Sequence, residues 1–348
     1  MLLNVETFGY LGEKEVKQFI LSNDNGLCVK IINYGGIITN IEMPDTNGNV
    51  DNIVCGFDDL QSYLSKEYLG NYPYFGAIIG RNANRIKDGN LVIEGKKYQL
   101  AKNNGKHHLH GGNSGFDKKL WKFITIDNGD ETGVELSYFS HHLEENYPGN
   151  LSVICTYTLN NNNELKIEFK ATTDKTTIVN LTNHTYFNLT GIEENILGHE
   201  LKLNASCITE TGKNLIPTGR FLSIKDTLYD FSDFKRLKDG IEHLPGGYDD
   251  NFVINGEKGS FKYAGTLREN KSKRQVEIFT DQPGMQVYTG YWIPRIVVNN
   301  KKKYGRFSGI ALETQHFPDA VHNKNFPSTI LKPDEEYRTK TVFKFSNY

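Results

Sequence analysis

Cysteine is scarce in this chain of 348 residues. Its four (Cys28, Cys55, Cys155 and Cys207) are far apart, form no CxxC pair, and sit mostly in apolar strand-like runs. They read as reduced core thiols rather than as a redox or metal motif. An excess of charge is missing too: 40 basic residues stand against 42 acidic ones, well mixed, for a formal net charge of -2. With no basic stripe, nucleic acid is not an expected partner, and with no acidic tail neither is a basic one; uncharged partners are favoured. Nowhere do 18 apolar residues run together, so no membrane-spanning helix is expected. Residues 1–20 interleave Asn4, Glu6, Glu13, Lys14 and Glu15 with apolar positions, which is not the pattern of a signal peptide, and a cytoplasmic location is expected. There is no GxGxxG loop after a strand and no Walker loop, hence no cofactor motif. Helical periodicity is sparse and no repeat of 20–50 residues occurs, which excludes solenoids and propellers. Oligomeric state is left open.

Aromatics and glycine are abundant: 19 Tyr, 20 Phe and 33 Gly. Short β-like runs recur between turn clusters. Residues 18–21 and 27–32 flank Asn23-Asp24-Asn25-Gly26, and residues 151–159 and 165–171 flank an Asn-rich turn at 160–163, both hairpin signals. Residues 91–93 and 98–100 flank Glu94-Gly95-Lys96 in the same way. Further strands are expected at 37–43, 53–55, 135–139, 275–279 and 287–291. Helix is expected only over 58–68 and 232–238. No Pro/Gly/Ser linker divides the chain, so the expected fold is all-β, one large antiparallel β-sandwich over residues 1–348 with few short helices.

Several polar clusters stand out against this background. Gly80-Arg81-Asn82-Ala83-Asn84-Arg85-Ile86 offers planar donors suited to sugar hydroxyls, although a turn with surface arginines is the plainer reading. In His107-His108-Leu109-His110-Gly111-Gly112, His108 and His110 have the spacing of a cupin metal site, but Asp117 is the only acid close behind; room for a ligand beside Gly-Gly is the other reading. In Asn180-Leu181-Thr182-Asn183-His184-Thr185-Tyr186-Phe187-Asn188-Leu189, neighbouring polar groups are expected to orient the His184 ring through one nitrogen. Gly246-Gly247-Tyr248-Asp249-Asp250-Asn251-Phe252 reads as a Gly-rich loop bearing two acids. Gln286 starts an aromatic strand after Pro283-Gly284. Finally, Ile310-Ala311-Leu312 reads as a buried strand that ends at Glu313, with Pro318 breaking the pattern soon after, so the carboxylate is fixed from behind and open in front.

Amides, guanidinium groups, carboxylates and aromatic rings together are what a carbohydrate site needs. Glu313 and His184, with reference pKa values of about 4.3 and 6.5, form a possible base and acid. In order along nearly the whole chain, GRNANRI (80–86), LHGG (109–112), NLTNHTYFNL (180–189), GGYDDNF (246–252), PGMQVYTG (283–290) and LETQHFPDAVH (312–322) resemble the aldose 1-epimerase (galactose mutarotase) family. The resemblance implies a β-supersandwich with an open cleft and a cofactor-free, metal-free isomerisation of free hexoses. It implies Glu313 as the base for the anomeric hydroxyl and His184 as the acid for the ring oxygen. It implies His110 near that oxygen, with Asn84, Arg85, Asp249 and Gln286 holding hydroxyls and Tyr186 in the same wall. Asp250 stands where the resemblance leads one to expect histidine; it could raise the pKa of Asp249 or face solvent. The basic loop 299–306 reads as a solvated turn, its alternative being a phosphate holder of the hexose-6-phosphate 1-epimerase type. Three rival classes remain: a silent sugar-binding module on this fold, a glycosidase pairing Glu313 with Asp249, and a cupin-like metal enzyme that a chelator would silence.

Overall fold

Strand formation follows from alternation. Leu151–Asn160 turns Leu151, Val153, Cys155 and Tyr157 inward, and its partner Glu164–Thr173 does the same with Leu165, Ile167 and Phe169. The Asn-rich turn between them closes because the Asn160 side chain accepts from the backbone N–H groups of Asn162 and Glu164. The 23–26 turn closes similarly, with Asn23 accepting from Asn25 and Leu27. Asn23 then donates to the Asn160 carbonyl and the Asn163 side chain, tying the two hairpin tips together. The computed structural model describes residues 1–298 and 302–348.

The architecture is the expected all-β sandwich. Three large antiparallel sheets of nine, six and five strands dominate it. The nine-stranded sheet includes Glu131–Ser140, the 151–160 and 164–173 hairpin, Tyr337–Asn347 and Arg274–Thr280. Its inner face meets the five-stranded N-terminal sheet through Val134, Leu136 and Val153 against Phe19, Val29 and Ile41. It meets the six-stranded sheet through Ile278, Phe343 and Phe345 against Phe252, Met285, Ile310 and Leu312, all in one hydrophobic cluster. The six-stranded sheet runs in the order Tyr186–Phe187, Ile310–Gln315, Gly284–Tyr288, Asp249–Ile254, Ala205–Thr211, Pro217–Ser223. Because side chains alternate, burying Ile310 and Leu312 in the core sends Ala311, Glu313 and Gln315 to the opposite face.

Some expectations are corrected. The helix over 58–68 is two short ones, Leu60–Tyr63 and Lys66–Gly70, because Ser65 accepts from Tyr68 N–H and caps a new start. In the 232–238 segment, Lys235–Arg236 is a strand paired with Glu200–Leu203, and the helix begins only at Leu237. The two acids of 246–252 are not in a loop: Asp249–Ile254 is a strand, held in register by the backbones of Gly284–Tyr288. Cys55 and Cys155 are buried, whereas Cys28 and Cys207 are partly exposed. In the basic 299–306 segment, Asn299, Asn300 and Lys301 lie outside the described residues, while Tyr304 is buried, its hydroxyl donating to the Gly56 carbonyl. Among the described residues no helix is long and apolar enough to cross a membrane.

Candidate active site

The polar face of the six-stranded sheet floors a cavity of about 480 Å³. Glu313 lies opposite Gln286, and Gln286 opposite Asn251, on three neighbouring strands. Glu313 is not the end of its strand, which continues through Thr314 and Gln315; the rigid backing is firmer than the sequence implied. His184 comes from the 180–189 segment, whose amides act as splints. Thr182 donates to the Thr314 carbonyl, Asn183 to the Gly76 carbonyl, and Asn188 to those of Glu194 and Ser308. With its backbone held by Ala77 and Gly76, His184 brings Nε2 to 3.6 Å from Glu313 Oε1, both side chains almost wholly buried.

What orients the His184 ring is aromatic packing rather than a hydrogen bond. Its Nδ1 has no hydrogen-bond partner, while Tyr186 and Tyr74 lie 4.8 and 5.9 Å away between centroids, at 33° and 23° to its plane. His110 is set edge-on to both His184 and Tyr74. It exchanges two bonds with Asn84: its N–H donates to the Asn84 carbonyl, and Asn84 N–H donates to its Nδ1 at 3.2 Å. The neutral ring therefore carries its proton on Nε2. Gly111 has φ +85°, and a side chain there would overlap the Gly80 carbonyl.

Asn84, Arg85, His110, His184, Tyr186, Asp249 and Glu313 all line the cavity. Arg85 reaches Asp249 at 3.8 Å and donates to the Asn104 side chain at 3.2 Å. Gln286 does not line it; it stands behind Asp249 and donates to that carboxylate at 2.6 Å. His108 faces away, its ring nitrogens meeting the Ala101 carbonyl and the Tyr147 hydroxyl, so the cupin pairing with His110 does not form. The acids 249 and 250 point to opposite faces of their strand. Asp250 is buried rather than solvated, and burial first, then the Asp249 charge, pushes its carboxyl up to about 7. The cavity also takes Tyr74, Asn104, Tyr288 and Trp292, which were not singled out. Tyr288 was legible, since it is two residues from Gln286 on the same strand and so on the same face.

Burial drives the central groups toward neutrality. The Glu313 carboxyl is raised well above its ordinary value by burial and then by Asp249, with Arg85 opposing. His184 falls to about 4, chiefly through burial, and His110 is also lowered, by burial and then by His184. This reverses the simple expectation of an anionic Glu and a protonated His in the free site. Possible ligand atoms of His110, His184 and Glu313 lie within 4.8 Å of one another, a donor set of the kind transition metals accept. The hydrogen bond from Asn84 engages His110 Nδ1 and leaves a proton on Nε2, so His110 presents a donor to the centre instead of a lone pair.

A buried carboxylate–imidazole pair in a cavity walled by amides, a guanidinium and aromatic rings suits proton transfer on a polyhydroxylated substrate. The aldose 1-epimerase family model matches residues 17–344, and the chain belongs to that family. It is 42% identical over 339 residues to galactose mutarotase of Bos taurus, covering 97% of this chain and 96% of that one. The Homo sapiens galactose mutarotase is 41% identical over 345 residues, with 97% of each chain covered. Among solved structures, an aldose epimerase homologue from C. elegans superimposes with a TM-score of 0.86 at 29% identity, over 94% of this chain and 98% of that one. Galactose 1-epimerase from Lactobacillus acidophilus does so with a TM-score of 0.85 at 27% identity, over 99% of both.

Proposed function

We propose that Glu313 and His184 are the base and the acid of an anomer interconversion, and that residues 1–348 form one catalytic domain for it. As an aldose 1-epimerase, the protein interconverts the α and β anomers of free hexoses. Galactose is the foremost substrate, after the relatives' names, and glucose the second. The observation that carries the residue assignment is the Glu313–His184 pair itself, 3.6 Å apart and buried at the floor of the cavity. Glu313 takes the proton of the anomeric hydroxyl while His184 gives one to the ring oxygen. The hemiacetal opens to the aldehyde, the C1–C2 bond rotates, and the reverse transfers close the ring on the other face. His110 Nε2–H is a donor for the charge that develops near the ring oxygen. Asn84, Arg85 and Asp249 hold hydroxyls, Gln286 holds Asp249, and Tyr186 braces His184. Scattered cysteines without a CxxC pair and mixed charge support a cytosolic location.

Proton counting gives the expected pH dependence. Glu–COOH with neutral His, and Glu–COO⁻ with HisH⁺, hold the same single proton, so their ratio does not change with pH. Activity falls only when the pair gains a second proton, near the His184 value of about 4, or loses its one proton, above the ordinary carboxylate range. A plateau between those two limits results. Polarimetry on freshly dissolved α-D-galactose and α-D-glucose, in EDTA and across pH, tests this. Faster relaxation to the unchanged equilibrium rotation is expected, with that plateau. No acceleration of either sugar, with acceleration of a hexose 6-phosphate instead, would overturn the free-hexose reading; a single sharp optimum would overturn the shared-proton pair.

A further inference from the structure

Behind Glu313 the polar face of the sheet continues, away from the substrate, into the protein. Asn251 is 1% exposed and Gln315 0%, and neither amide nitrogen nor carbonyl oxygen of either has a hydrogen-bond partner in the protein. Gln286 Oε1 and Glu313 Oε2 are buried and unpartnered as well. The register makes these four groups neighbours. Asn251, Gln286 and Glu313 are directly opposite one another across three strands, and Gln315 is the next residue along on the Glu313 face. Gly284, opposite Gln315, is what leaves them room: a Cβ there would lie 2.6 Å from Asn251 Oδ1. Neither Asn251 nor Gln315 lines the cavity, so neither is placed to touch a sugar.

Buried amides are not left without partners in a stable fold, and a polar enclosure of this kind is where an internal water resides. An ionised Glu313 would be the strongest acceptor in the row. We propose that Asn251 and Gln315 are positioning residues for Glu313: their amide N–H groups, directly or across enclosed water, hold its carboxylate from behind when it is ionised for catalysis. This rests on the reading of Glu313 as the base. The titratable and charged groups that otherwise face that carboxyl are His184, His110, Asp249, Arg85, Tyr186 and Tyr288, and all of them lie on the cavity side.

The row makes the ionic form of the pair available, so loosening it lowers turnover and raises the pH at which the last proton leaves, without touching sugar binding. Gln315→Met, of nearly the same shape, is expected to lower kcat about tenfold while KM stays within twofold. The alkaline limb of the kcat–pH profile is expected to move up by about one pH unit. Gln315→Glu keeps the shape but sets a second acid beside Glu313, and is expected to move that limb further in the same direction; it serves if the Met variant does not fold. A KM increase at unchanged kcat, or a fall in kcat with the limb left in place, would overturn the proposal. Failure of the unmodified protein to speed mutarotation would instead sink the epimerase reading itself.

Discussion

Arg81 and Arg85 sit four residues apart in one motif and do opposite things. Arg81 is buried and donates five hydrogen bonds, to the Ser140 hydroxyl and the carbonyls of Ser140, His141, Pro148 and Gly149. Burial lowers its pKa to about 10. Arg85 is half-buried at the cavity, with Asp249 and Asn104 beside it. The same division recurs between His108, bonded to Ala101 and Tyr147, and His110, and between Asp250 on the other face of its strand and Asp249: the second residue of each pair lines the cavity. The cavity is therefore suspended on a buried polar lattice, and the two regions answer to different demands. In the lattice, Arg81 and His108 reach fixed carbonyls and hydroxyls of the protein. At the cavity, polar atoms are kept for something that arrives.

The sharpest way to separate the two regions is to remove the carboxylate proposed as the base. Glu313→Gln is expected to lower kcat by about 10³–10⁴-fold, with sugar still bound. It is also expected to raise the melting temperature at neutral pH, by about 1–3 °C. The sign follows from the raised Glu313 pKa. Above the unfolded carboxylate value the folded state holds the extra proton, so stability falls as pH rises, and the glutamine is free of that loss. Polarimetry and thermal melts on one preparation check both halves. Retained turnover would move the base elsewhere.

The arginines give the direct contrast. Arg81→Met strips the donors from five buried contacts and is expected to cost about 3–5 kcal/mol of stability, with kcat and KM near normal in whatever remains folded. Arg85→Met should leave urea unfolding almost unchanged and cut kcat/KM by about 10–100-fold, since it withdraws a charged donor from a hydroxyl. Equal effects of the two on stability would erase the distinction.

Much of the division was readable in the sequence, and its gaps have physical causes. Alternating runs such as 151–159 and 165–171 identify strands, since the apolar period of two survives wherever one face is buried. The strand Leu2–Leu11 went unread because it is exposed along most of its length and has no such contrast. The site motifs named the cavity side chains, but not which way each faced. Composition groups Arg81 with Arg85, because it is silent on the carbonyls between residues 140 and 149 that Arg81 reaches across the fold. Gln286 is expected at the sugar, but its bond to the Asp249 carboxylate, two residues away across the strands, is set by cross-strand register and invisible in residue type. The buried amides Asn251 and Gln315 fall inside the quoted motifs but drew no role there, because an amide in a strand looks the same in sequence whether it faces water or the interior.

The mildest perturbation concerns the two acids. Asp249 belongs to the cavity, whereas Asp250 points to the other face of the strand and is held near pKa 7 by burial and by its neighbour's charge. Its folded-state value lies above the unfolded one, so the folded protein binds the extra proton between about pH 4 and 7, and stability declines across that window and then levels off. Asp250→Asn removes the titration while keeping the shape. It is expected to leave stability unaltered at the acid end and to add on the order of 1–3 kcal/mol at pH 8, with kcat/KM within about threefold of the unmodified protein. Urea unfolding at pH 4.5 and pH 8, beside polarimetry, decides it. A gain confined to pH 8 with activity intact assigns Asp250 to the lattice. A large loss of activity would instead join it to Asp249 at the cavity, and the boundary between the two regions would have to be drawn one residue further in.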